Sequence, residues 1–127
     1  GDEAQPHGRA ALHAYVRVVT LKSDRPEADT LAMLQKAMER ADTPDDRQWV
    51  LDRASTVRTL EAVRWIAGYL DDAEVNQAAC RSLVALAHHR FLRHPNMELF
   101  GPLLDRVGTI STDPTVAERA KKYRLGL

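Results

Sequence analysis

Apolar residues recur three and four positions apart along most of the chain, and residues 59–89 show the pattern most clearly. Leu60, Val63, Ile66, Ala67 and Leu70 make one stripe; Val75, Ala78, Ala79, Leu83, Leu86 and Ala87 make a second. Such spacing places each set on one face of an amphipathic helix. Only the acidic turn Asp71-Asp72 separates the two, so the stretch reads as an antiparallel helical hairpin.

The same period continues on both sides. Residues 9–22 carry Ala11, Leu12, Tyr15, Val16 and Val19 on one face, and residues 26–41 carry Leu31, Leu34, Ala37, Met38 and Ala41. A short helix over 44–54 follows, with Trp49, Val50, Leu51 and Ala54. Ser23 or Asp24 is expected to cap the second helix, with Pro26 in its first turn. Thr43 is expected to cap the third, with Pro44 at its first position and Asp45 and Asp46 suiting the positive end of the dipole. Pro95 ends the central hairpin. Beyond it, residues 96–108 present Leu99, Phe100, Leu103, Leu104 and Val107, while Pro102 predicts a late start or a bend. Thr112 or Asp113 caps a last helix with Pro114 at its first position, and Val116, Ala120 and Tyr123 face the core. Residues 125–127 read as a fraying tail, and residues 1–8 as a flexible polar lead-in to a single domain over 9–124. Gly1, in place of Met, reads as a remnant of processing, with the natural N-terminus removed.

The pattern also repeats. Thr30, Leu31 and Leu34 align with Thr59, Leu60 and Val63 at an offset of 29, which also brings Ala37 onto Ile66 and Ala41 onto Leu70. A third unit begins near Asn96, and each unit runs helix, acidic or proline-containing turn, helix.

On these residues the chain resembles the HEAT repeat. The first helix of such a unit is matched by Val63, Ile66 and Leu70, the turn by Asp71-Asp72, and the valine after it by Val75. The Ala-rich second helix is matched by Ala78, Ala79, Leu83 and Leu86; Asn76 stands where the family often has Arg. The resemblance implies an all-α fold, a short right-handed α-α superhelix (HEAT-like solenoid) of about seven helices, in which each unit buries its stripe against its neighbours. It implies a module for protein–protein or interdomain contact. The chain is also similar to HEAT-like segments of large exported bacterial proteins with sugar-active or dehydrogenase-like domains. That likeness implies a periplasmic or exported location and, as an alternative role, a passive spacer.

Composition narrows the classes further. Lys and Arg total 18 against 18 Asp and Glu, so the basic excess of a nucleic-acid binder is missing and no nucleic-acid partner is expected. No apolar run approaches the ~20 residues of a membrane span, so no membrane partner is expected. A single cysteine, Cys80, excludes an intrachain disulfide. Aromatics are 6% of the chain while Ala and Leu are plentiful, which favours close helix packing over a β-sandwich. A monomer is expected.

Four groups of residues invite a chemical reading. His88, His89 and His94 lie near Arg90 and Arg93, but adjacent helical residues point about 100° apart, so a cationic helix C-terminus is expected rather than a metal site. Cys80, in an Ala-rich helix, is expected to be a packing residue. Trp49 with Arg53, Trp65 with Arg64, and nearby Asp52 resemble the base-stacking sites and catalytic Asp of HEAT-like DNA glycosylases. The chain is shorter and electrically neutral, so core packing with cation–π contacts is expected instead. Asp42, Asp45, Asp46, Asp71 and Asp72 are expected as caps, and Arg40, Arg47, Arg53, Arg58 and Arg64 as a solvated face paired with them. No Gly-rich phosphate loop, nucleophile elbow, HExxH or CxxC occurs. The expectation is a non-catalytic module with no catalytic residue, cofactor or metal, and with a protein or neighbouring domain as partner.

Overall fold

A computed structural model describes residues 6–127, with side-chain burial from Gly8 onward. Among these residues the fold is all-helical: α1 (Pro6–Val19), α2 (Glu27–Arg40), α3 (Pro44–Arg53), α4 (Leu60–Ala67), α5 (Asn76–Ala87), the single turn α6 (Arg90–Arg93), α7 (Met97–Ile110) and α8 (Pro114–Arg124). Neighbours in the chain are neighbours in space. α1 packs on α2 and α3, α3 on α5, α4 on α5, and α5 on both α7 and α8. The second helices of successive pairs, α3, α5 and α8, thus lie against one another in a row. Leu34, Val50, Leu51, Val63, Ile66, Val75, Leu83, Leu86 and Phe100 form part of one continuous buried core.

Local chemistry sets the helix ends. Thr43 Oγ1 accepts from the Asp46 backbone N–H at 3.1 Å with Pro44 at the first position, as expected for a cap. Asp113 Oδ1 accepts from Thr115 N–H at 2.9 Å and so fills the second expected cap. Thr59 Oγ1 does the same for Ala62 N–H at 3.2 Å and begins the central hairpin.

Five expectations need correction. α1 starts at Pro6, because proline's missing N–H costs nothing in a first turn, and it ends at Val19 rather than Lys22. The first five residues of the expected lead-in lie outside the described residues. Neither Ser23 nor Asp24 caps α2; Pro26 occupies the cap position without a side-chain bond, and Ser23 Oγ instead accepts from Arg25 N–H at 3.2 Å. Of the late start or bend expected from Pro102, the late start is absent, since α7 begins at Met97 and runs through the proline. Residues 125–127 close α8 rather than fray. Gly126 takes φ 85°, its N–H bonds to Tyr123 O at 3.0 Å, and Leu127 N–H reaches Lys122 O at 3.1 Å. That pair of bonds is the Schellman arrangement, which needs the left-handed conformation glycine adopts freely. Ala11 and Tyr15, finally, are exposed rather than part of the apolar face.

Candidate functional site

Buried polar groups are where a helical fold of this size concentrates chemistry. The first such group is Asp46. The Thr43 cap turns the chain into α3 and sets Asp46 in the first turn, beneath α1. Its Oδ1 accepts from Arg9 Nε at 3.1 Å, from a terminal Arg9 N–H at 3.0 Å and from His13 Nε2 at 3.1 Å. Arg9 and His13 are four apart on α1 and therefore share a face. The His13 ring stacks on Trp49, with centroids 4.0 Å apart and planes within 5°. Burial by itself raises the Asp46 pKa, but the hydrogen bonds from His13 and Arg9, with the Arg9 charge, outweigh it and hold the carboxyl below its usual range. A carboxylate so held is a weak base, so the cluster pins α1 to α3 rather than moving protons. Beside it a hollow of about 330 Å³, lined in part by Leu12, Tyr15 and Ala37, opens between α1 and α2. Asp46 is therefore not a cap, as the sequence suggested, but the acceptor of an interhelix pair.

The second group closes the C-terminal end of α5. Arg93 is 1% exposed, yet no carboxylate meets it among the described residues. One terminal N–H donates to Ala87 O at 2.9 Å, at the negative end of α5, and the other to His94 Nε2 at 3.1 Å. The guanidinium lies 4.6 Å over the Tyr123 ring. Arg119 sits by the same ring at 5.6 Å and donates to its hydroxyl at 3.1 and 3.3 Å, and His88 Nδ1 meets that hydroxyl at 2.9 Å. Burial lowers the Arg93 pKa, Tyr123 partly offsets that, and Arg90 adds to it. Arg93 Nε is buried without a partner. The expected cationic cluster is weakened at His89, where burial first, then Arg58 and His88, push the pKa down and disfavour the charged ring. Arg119 and Tyr123 are four apart on one helix, a spacing legible in the sequence; the deep burial of Arg93 has no such signal.

The remaining candidates are tied into the framework. Asp52 binds Arg81 through both oxygens, at 2.9 and 3.0 Å. Cys80 is fully buried, and burial pushes its thiol up to about 11. Trp65 is half-buried and meets Tyr69 edge-on at 5.6 Å, with no stacked partner among the described residues such as Trp49 has. Of the five arginines expected to pair with the turn carboxylates, Arg47 does so, with Asp72 at 3.1 Å and Glu74 at 3.2 Å. Arg53 donates instead to the Thr20 hydroxyl at 2.8 Å, and Arg40, Arg58 and Arg64 are exposed and outside the ion pairs seen among the described residues. Asp71 pairs with Arg106 rather than capping. Asp72 Oδ1 accepts from Glu74 N–H at 3.0 Å, a turn-forming role close to the one expected. Among the described residues no group of three or more His, Cys, Asp or Glu side chains is placed to hold a metal ion, and no helix is long and apolar enough to cross a membrane. No family model, curated protein or solved structure matches the chain.

Proposed function

We propose that the chain is a non-catalytic helical-repeat module of HEAT-like units, stacked as a short right-handed solenoid that presents a surface to a protein or a neighbouring domain. The observation that carries this reading is a recurrence of side-chain bonds at the sequence offset. Gln48 and Gln77, 29 residues apart, each donate forward to a backbone carbonyl just before or in the turn of the next helix pair: Glu74 O at 2.8 Å and Ile110 O at 3.0 Å. Arg53 and Ser82, also 29 apart, each reach back to the preceding layer: to the Thr20 hydroxyl and to Leu51 O. Donors at equivalent positions that tie each layer to the next favour propagation by stacking over closure around one axis. The surface offered is apolar in part. Tyr15, Val18 and Leu21 are exposed along one side of α1 and its end, and Phe91 on α6 is 99% exposed. These side chains are the sites this reading offers to a partner.

The alternative, a DNA glycosylase-like reading, has less support, because Asp52 is paired with Arg81 and Trp49 is stacked on His13. Site-specific photo-crosslinking in the full gene product tests the proposal. A crosslinker at Val18 or Phe91 is expected to capture a defined polypeptide or domain that one at exposed Glu61 does not. Equal labelling at all three positions would overturn the module reading, and tight duplex-DNA binding at low salt would replace it with the nucleic-acid one.

A further inference from the structure

The turn between α1 and α2 and the connection from α3 to α4 enclose a recess of about 420 Å³. Three cations line it: Lys22, Arg25 and Arg58. Glu27 is its one carboxylate, and Glu27 Oε2 already accepts from the Arg58 backbone N–H at 3.2 Å. None of the three cations belongs to an ion pair among the described residues. The donors are only partly used. Arg25 gives one terminal N–H to Val19 O at 3.1 Å, which leaves the rest of its fork. Ser23 Oγ accepts from Arg25 N–H, so its own proton is unassigned. Arg53 stands behind the wall, held on the Thr20 hydroxyl, with its buried Nε lacking a partner. Positive charge is thus concentrated in a concavity of a chain whose formal net charge is zero.

We propose that this recess binds a phosphate monoester. Donors approach from two sides, Lys22, Ser23 and Arg25 from the turn and Arg58 from across the recess, which suits a tetrahedral oxyanion better than a flat carboxylate. Guanidinium forks match phosphate oxygens with charge-assisted bonds. The volume exceeds that of a bare phosphate ion, and Val19 and Leu21 in the lining leave apolar wall for the organic part of the ester. Occupancy would bridge the α1–α2 turn to the α3–α4 connection and fasten α1 to the rest of the fold. The inference stands apart from the module reading, since a solenoid with no partner on α1 would still hold the recess.

The test is an NMR titration of the ¹⁵N-labelled chain at constant ionic strength, with O-phosphoserine, inorganic phosphate, serine and chloride as separate arms. O-phosphoserine is expected to give saturable shifts confined to the amides of residues 20–30 and 56–58. Inorganic phosphate is expected to bind the same residues more weakly, and serine and chloride to leave them unmoved. Arg58→Gln, which keeps the backbone bond to Glu27, should weaken O-phosphoserine binding about tenfold or more. Arg90→Gln, at an exposed position of α6, should leave it unchanged, and the spectra themselves report that each variant is folded. Absence of saturation by about 10 mM, equal affinity in Arg58→Gln, or shifts spread over the whole surface would each overturn the assignment.

Discussion

Helix α5 buries eight of its twelve residues. The described part of α1 buries Val16 and Val19 and leaves Tyr15 and Val18 in solvent. α5 lies between α3 on one side and α7 and α8 on the other, so nearly every side chain meets another. α1 has α2 and α3 for company and is fastened largely by polar bonds: Arg9 and His13 to Asp46, Arg53 to Thr20, and Arg25 to the Val19 carbonyl. One helix is held by area removed from water, the other by a few directional bonds. Local stability should differ accordingly, with α1 opening at lower free energy than the centre.

The strongest way to break that comparison is a cavity at the centre. Leu83 is 1% exposed, and Leu83→Ala should cost roughly 2–5 kcal/mol, read as a lower urea midpoint at unchanged slope. If Val16→Ala in α1 cost as much, the contrast between the two helices would be wrong. Arg93 comes next. Arg93→Ala removes a buried cation together with its bonds to Ala87 and His94 and should cost roughly 2–3 kcal/mol by thermal unfolding. Arg93→Met refills the volume and strands no carboxylate, so its loss should be well under half of that. Equal losses would mean the charge itself is what the end of α5 requires.

Asp46→Asn sharpens the comparison from the other side. A loss of about 1–3 kcal/mol is expected, with hydrogen-exchange protection falling in α1 while α5 keeps its own. The pH dependence follows from the direction of the shift. The folded carboxyl titrates below its ordinary value of 3.8, so its contribution is complete above that value and disappears as pH falls through the lower folded one. The stability gap between wild type and Asp46→Asn should stay level well above 3.8 and close as pH falls through the lower folded value. A gap that widened on acidification would contradict the assignment.

Cys80 reports on the centre with a smaller effect. A thiol at about 11 instead of 9.0 carries about a hundredfold less thiolate at a given pH, and it is buried as well. Disulfide reagents should therefore modify it only as the centre opens, and rapid labelling in native buffer would show that α5 is looser than its packing implies. The smallest effect belongs to the surface. Asp71 is 80% exposed in its pair with Arg106, and Asp71→Asn should change stability by no more than about 0.5 kcal/mol.

The stripes of α4 and α5 were legible because apolar spacing records which face of a helix is covered. Val63, Ile66, Ala78, Ala79, Leu83 and Leu86 are all buried as their spacing implies. The caps at Thr43 and Asp113 were legible because a cap and the backbone N–H that donates to it lie within three residues. Asp46 was misread for the opposite reason. In sequence it is one of several acids at a helix start, and its partners Arg9 and His13 lie 37 and 33 residues away. Arg93 sits in a polar turn between Leu92 and His94, with nothing local to show that a tyrosine ring will cover it. Tyr15 fits the apolar face of α1 by spacing and stays in solvent, since spacing states which residues share a face and not whether a neighbour arrives to cover it.

By itself the sequence determined the helices, most of their ends and their apolar faces, because helical period and end-capping act over a few residues. Only the tertiary structure decided which polar groups are buried, which arginines pair with acids, and which cations remain around an open recess. The physical reason is range. Burial and charge pairing depend on groups brought together from distant positions, and the cost of desolvating a charge is set by whatever neighbour the fold supplies.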